Sequence, residues 1–243
     1  MMITLCRDAQ RHHTRHGKSD IWHTFYPQDL QGPLFDGFGA LAFLSEMRLP
    51  PGKSAAPQAR EDAEIITHVY RGTLAQGDSS GSVTRTGEFQ RMTTAHGTRP
   101  EETNASGTDW AHVFRITLHP CDAALDSACD RKRFTAAQRR NMLFAVASPD
   151  ERMGSLRIQQ DAVIYSSILD PGHHLIHELK PGRSAWLHIV SGEATMDDVT
   201  LTQGDGVGVT AQPSVSLTVK ESTEILLVDL GAALSSFGRG ANW

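Results

Sequence analysis

A chain of 243 residues accommodates one large β domain or two domains of about 100 to 120 residues, and is short for three. Apolar residues at 39%, charged residues at 21%, 21 glycines and 11 prolines exclude a disordered chain and fit a globular one with many turns. A formal charge of −5 gives no electrostatic basis for contact with phosphate backbones, which calls for clustered Lys and Arg.

The opening residues Met1 to Asp8 carry no apolar run of signal-peptide length, and no stretch of about 18 uninterrupted apolar residues follows. A soluble, cytoplasmic protein without membrane contact is expected. Leu41, Phe43, Met47 and Leu49 alternate with other residues, as do Phe114, Ile116 and Leu118, and later Val215, Leu217 and Val219, so each group predicts a half-buried strand. Gly77 to Gly81, Pro171-Gly172 and Pro181-Gly182 supply turns between them. No long segment has a 3.6-residue apolar period, so the fold class is all-β. Cys6, Cys121 and Cys129 are odd in number and lack metal-binding CxxC spacing, which suits reduced thiols. The basic residues Arg131 to Arg133, Arg139 and Arg140 lie beside Asp122, Asp126 and Asp130 and read as a solvated linker.

The chain repeats itself. His68-Val69-Tyr70-Arg71-Gly72-Thr73-Leu74 has a counterpart in His188-Ile189-Val190-Ser191-Gly192-Glu193-Ala194, at an offset of 120 residues (192 − 72), and Gly87-Glu88 has one in Gly204-Asp205. Strand, glycine turn, strand and a second glycine corner is how a small antiparallel barrel is built. The expected organisation is an N-terminal segment (1–36) packing on the barrels, barrel one (37–120), a linker (121–154), barrel two (155–232) and a tail (233–243).

Ordered blocks add a resemblance. His16-Gly17-Lys18-Ser19-Asp20-Ile21-Trp22-His23-Thr24-Phe25, then Glu64-Ile65-Ile66-Thr67-His68-Val69-Tyr70-Arg71-Gly72, Asp78-Ser79-Ser80-Gly81, Gln90-Arg91-Met92, and Gln160-Asp161 with Ile164-Tyr165 follow one another as similar blocks do in the pirins. The chain resembles that family from Met2 to Leu230, and within it the bacterial branch with quercetin dioxygenase activity. The resemblance implies a bicupin, two tandem jelly-roll β-barrels, whose N-terminal barrel holds iron or another divalent metal through three histidines and a glutamate.

Placed against that pattern, Gln58, Arg60 and Pro100 stand where the histidines belong, and Glu102 alone keeps a ligating side chain. Arginine has no lone pair to give, proline is inert, and a glutamine oxygen is a weak, hard donor. No metal cofactor is therefore expected, and the former metal site is read as a pocket of Gln58, Arg60, Glu64, His68, Met92, Pro100 and Glu102. His68 shares the strand parity of Glu64 and is expected to face the same way. An inward Arg60 needs a counter-charge, and Glu102 is the expected partner. An Arg60 left unpaired would instead suit a carboxylate. His96, His173 and His174 read as exposed loop or turn residues, His12, His13 and His16 precede the first barrel, barrel two reads as structural packing, and Trp186 as a core or interdomain residue.

Three functions follow: a pirin-like protein without metal-dependent catalysis that binds a small organic acid, a quercetin 2,3-dioxygenase-like oxidoreductase acting on a flavonol-like ligand, or a regulatory protein with a protein partner, as eukaryotic pirins are.

Overall fold

The computed structural model describes residues 2–25, 34, 37–55, 63–77, 82–93, 101–119 and 129–231. Among these residues the strands form two seven-stranded and two four-stranded sheets, almost wholly antiparallel. Barrel one pairs a seven-stranded sheet, in the order Cys129–Arg133, Glu88–Thr93, Glu64–Arg71, Ala111–Leu118, Leu41–Leu49, Ser19–His23, His12–His16, with a sheet of Ser54–Ala55, Glu102–Asn104, Thr73–Gln76 and Val83–Arg85. In barrel two the large sheet runs Met2–Cys6, Gly206–Thr210, Ser184–Ser191, Thr223–Leu230, Ala162–Leu169, Phe144–Ser148, Leu156–Arg157. Its smaller sheet holds His174–Glu178, Ser214–Val219, Glu193–Met196 and Val199–Thr202.

The repeat has a steric basis. Gly72 and Gly192 both sit at positive φ, 82° and 89°, where one strand of a barrel turns into the next. A Cβ at Gly72 would lie 2.7 Å from the Trp110 carbonyl oxygen, and one at Gly192 would lie 2.5 Å from that of Ser222. Both the backbone angle and the close approach of a neighbouring chain thus demand glycine in each barrel.

The strands cross the expected boundaries. Met2–Cys6 pairs with Gly206–Thr210 of barrel two, whereas the hairpin of His12–His16 and Ser19–His23 extends the large sheet of barrel one. The N-terminal segment therefore ties one barrel to the other. Part of the segment read as linker is also structured: Cys129–Arg133 pairs with Glu88–Thr93, and Phe144–Ser148 with Ala162–Leu169. Cys129–Arg133 and His12–His16 are edge strands made of polar residues, so neither carries an apolar alternation.

The two large sheets pack against each other. Leu44, Ile66, Phe89, Phe114, Ile116 and Leu118 from barrel one meet Ile164, Trp186, Val190, Leu226, Val228 and Leu230 from barrel two in a single buried cluster. Trp186 is an interdomain residue, its ring edge-on to Phe25 at 4.8 Å. A strand in the middle of either sheet is consequently buried on both faces, one toward its own barrel and one toward the neighbour.

Candidate functional site

Residues directly opposite one another on paired strands share a face. Across the large sheet of barrel one, His12 faces His23, His23 faces Ser45, Ser45 faces Arg115, Arg115 faces Thr67, and Thr67 faces Gln90. This continuous row of polar side chains lies on the inner face, alongside the inward residues Met47 and Val113 on the same strands. Opposite it, Glu102 stands beside Gln76 in the smaller sheet.

Arg115 anchors this row. Its guanidinium is buried and forms a direct ion pair with Glu102 through Nη2, while Thr67 Oγ1 donates to Glu102 Oε1 at 3.4 Å. Burial pushes the Arg115 pKa down to about 10, which still leaves it charged at neutral pH. Its Nε–H has no hydrogen-bond partner among the described residues. His23 Nδ1 and Ser45 Oγ share a hydrogen bond of 3.0 Å. Burial first, and then the neighbouring His12, Arg115 and His16, bring the His23 pKa down to about 4, so its imidazole is neutral near pH 7. At the far end Gln90 accepts from Thr84 Oγ1 at 2.5 Å, and Gln76 Nε2 reaches Met92 Sδ at 3.3 Å.

The pocket residues expected from sequence separate into three groups. Met92 and Glu102 face the interior of barrel one, Met92 within a small apolar cluster with Ala63 and Ile65. Glu64 and His68 do not belong to it: they share a face, as expected, but it is the face turned to barrel two. Glu64 accepts the backbone N–H groups of Gln159 and Gln160 at 2.8 to 2.9 Å. His68 stacks on Phe89 at 4.1 Å and places Nε2 3.2 Å from Glu224 Oε1, which also accepts from Arg139 at 2.6 Å. Gln58, Arg60 and Pro100 lie outside the described residues, as does the expected Arg60–Glu102 pair; the described cation on Glu102 is Arg115. Among the described residues no three His, Cys, Asp or Glu side chains are grouped so as to hold a metal ion.

Arg115, His23, Ser45 and Thr67 are not among the site residues expected from sequence, although His23 and Thr67 fall within the matching blocks. Arg115 left one trace, as a lone charge within the otherwise uncharged strand Ala111–Leu118, buried along nearly its whole length.

Barrel two places different side chains at the matching positions. Leu187 and Tyr165 stand 120 residues after Thr67 and Ser45, and the row through them runs Leu5, Val207, Leu187, Leu227, Tyr165, Ala145. All but the half-buried Leu5 belong to the buried apolar core of that barrel. One polar cluster of this barrel has His177 Nε2 2.8 Å from Asp229 Oδ2, with Arg183 Nε donating to Oδ1 at 2.5 Å.

Comparison with known proteins agrees with this architecture. Residues 7–117 match the family described as Pirin, and residues 145–230 match the quercetinase C-terminal cupin domain. A protein named quercetin 2,3-dioxygenase from Escherichia coli (strain K12) is 32% identical over 231 residues, covering 94% of this chain and 99% of that protein. A putative quercetin 2,3-dioxygenase from Pseudomonas aeruginosa is 28% identical, covering 90% of this chain and 95% of the other. Among solved structures, the bacterial pirin YhhW from Escherichia coli in complex with nickel(II) superposes with a TM-score of 0.87 at 31% identity, covering 95% of this chain and 100% of that one. With two cupin barrels joined back to back and relatives matched over almost their full length, the chain belongs to the pirin family.

Proposed function

We propose that this protein is a pirin-like bicupin whose first barrel binds a small organic acid without transition-metal chemistry, in the cytoplasm and as part of a regulatory role. One observation carries the reading: Glu102, the position that the resemblance assigns to a metal-ligating carboxylate, is bound by the buried guanidinium of Arg115. A cation at Glu102 would meet the fixed positive charge of Arg115 in a low-dielectric interior, and a ligand carboxylate would have to share that guanidinium with Glu102. The donor set fits a transition ion poorly, since Gln58, Arg60 and Pro100 supply no imidazole. The regulatory part rests on resemblance. The cytoplasmic part draws support from the three cysteines, odd in number and without metal-binding spacing, which suit a reducing compartment.

A second reading, a flavonol dioxygenase, is favoured by the names of the relatives and by the nickel in the YhhW structure. The two readings separate in one pair of assays. Thermal-shift measurements with propionate and benzoate should raise the melting temperature of the wild type and leave an Arg115→Leu/Glu102→Leu variant unmoved. Quercetin consumption, followed by absorbance with added nickel or iron, should not exceed the metal-only control. Catalysed turnover, or the absence of any Arg115-dependent shift, would reverse the assignment.

A further inference from the structure

Barrel two is open along one side. Met2–Cys6 is the edge strand of its large sheet and Val199–Thr202 the edge of its smaller sheet, and among the described residues the two do not pair with each other. Arg7 crosses the gap, its Nη1 donating to the Thr200 carbonyl at 2.7 Å. Between the same two strands lies a cavity of about 40 Å³ lined by Ile3, Leu5, Met196, Val199, Leu201 and Val207, with Asp197 beside them. Its floor is the apolar core of the barrel, to which Met196, Leu201 and Val207 belong, while Ile3 and Val199 on its lips are each 38% exposed.

Two features set this edge apart. The other edge strands of the large sheets, Cys129–Arg133, His12–His16 and Leu156–Arg157, all carry arginine, whereas Met2–Cys6 has no charged residue. A strand edge without charge offers its outward backbone N–H and C=O groups to a further strand, the pairing that edge charges discourage. Beside it, Asp197 and Asp198 form the exposed tip of the hairpin between Glu193–Met196 and Val199–Thr202, and neither carboxylate has an ion-pair partner among the described residues. The nearby cations are committed elsewhere, Arg7 to Asp205 at 2.9 Å and Lys220 to Glu193 at 2.7 Å. Two adjacent negative charges beside an apolar cavity are complementary to a chain that carries an apolar side chain and a cation together.

We infer that this edge receives an extended peptide of a protein partner, a segment with an aliphatic side chain and Lys or Arg two residues away from it. Such a segment would add an eighth strand to the large sheet along Met2–Cys6. Alternate side chains of a strand share a face, so the aliphatic tip enters the cavity while the cations on the same face reach Asp197 and Asp198. The backbone ladder supplies register, and the cavity and the two carboxylates supply selectivity. This surface lies on barrel two and goes beyond the small-acid reading of barrel one.

Fluorescence anisotropy of the full chain with a labelled Lys-Thr-Leu-Thr-Lys peptide tests the inference, and the symmetry of the peptide makes strand direction immaterial. Saturable binding is expected, weaker by about tenfold or more for Glu-Thr-Leu-Thr-Glu, which replaces attraction by repulsion, and weaker also for Lys-Thr-Asn-Thr-Lys. The double variant Asp197→Asn/Asp198→Asn keeps the turn, because asparagine accepts the positive φ of position 197, and should bring the Lys and Glu peptides within about threefold of each other. Ile3→Lys, at an exposed position, should abolish binding and leave the propionate shift of barrel one unchanged. No saturable binding of the Lys peptide by the wild type, or equal affinity for it and either control peptide, would overturn the inference. Sedimentation equilibrium adds one more contrary outcome: a dimeric wild type that becomes monomeric as Ile3→Lys would assign the edge to a second copy of this chain. Absence of the propionate shift in the wild type would remove the small-acid reading and leave this one standing.

Discussion

Arg115 and Glu102, separated by 13 positions in the chain and carried on opposite sheets of barrel one, are each other's counter-charge in the barrel interior. A buried pair of this kind has an asymmetric response to mutation. Arg115→Leu leaves Glu102 charged and buried, with Thr67 as its remaining side-chain partner among the described residues, and should cost about 3 to 5 kcal/mol of stability. The double variant Arg115→Leu/Glu102→Leu removes both charges and reproduces the leucine at the matching position of barrel two, so it should recover most of that loss. Urea denaturation of wild type, single and double variants measures the difference. A double variant no more stable than the single one would mean that the pair is not the principal charge balance of the barrel interior.

How much of this was legible in the sequence depends on which face of a strand a residue occupies. Gly72 and Gly192 announced the repeat because a positive φ and a close backbone approach tolerate little else. Parity correctly grouped Glu64 with His68, but it could not say which way they face, since both faces of Glu64–Arg71 are buried. For the same reason the apolar run of Phe114, Ile116 and Leu118 drew attention to the interdomain face, while Arg115 between them looked into the barrel. The polar row is invisible to periodicity altogether. It is assembled from one residue on each of six strands, and only the register brings them side by side.

Glu64 offers a test of that reassignment. Its carboxylate accepts the backbone N–H groups of Gln159 and Gln160 across the interface, so Glu64→Ala should destabilise the protein by about 2 to 4 kcal/mol through lost charge-assisted hydrogen bonds. Carboxylate affinity in barrel one should stay at the wild-type value. Weaker propionate binding by a folded Glu64→Ala protein would return this residue to the pocket.

The interface is also expected to be acid-sensitive. His188 is fully buried beside Phe114, and neither ring nitrogen has a hydrogen-bond partner among the described residues. Burial lowers its pKa to about 3, with Arg11 and His112 acting in the same direction and Glu46 and Asp205 against it. Because the folded protein holds this imidazole neutral, its contribution is complete above the unfolded value of about 6.5, and it is lost progressively as pH falls toward 3 while the unfolded chain takes up the proton. The slope is about 1.4 kcal/mol per pH unit for one such group. Comparing urea midpoints at pH 7.5 and pH 5, His188→Leu should lose less stability than the wild type. Identical losses would place the acid sensitivity elsewhere, with His68, whose pKa is also lowered by burial, as the next residue to replace.

The motif comparison is open to a constructive test. Introducing Gln58→His, Arg60→His and Pro100→His together with Arg115→Leu supplies three imidazoles and releases Glu102 from its cation. The variant should bind about one nickel ion per chain, the count expected of a single cupin site built from three histidines and a carboxylate. A folded variant that retains no nickel after dialysis would show that the register of the implied ligands is wrong.

The most direct measurement is the metal content of untagged protein, purified without chelator and analysed by mass spectrometry for iron, nickel, copper, zinc and manganese. With Arg115 on Glu102 and no imidazole at positions 58, 60 and 100, the account predicts a total well below one ion per chain. A near-equimolar content of any one of these metals, lost in a Glu102→Ala variant that remains folded, would contradict it.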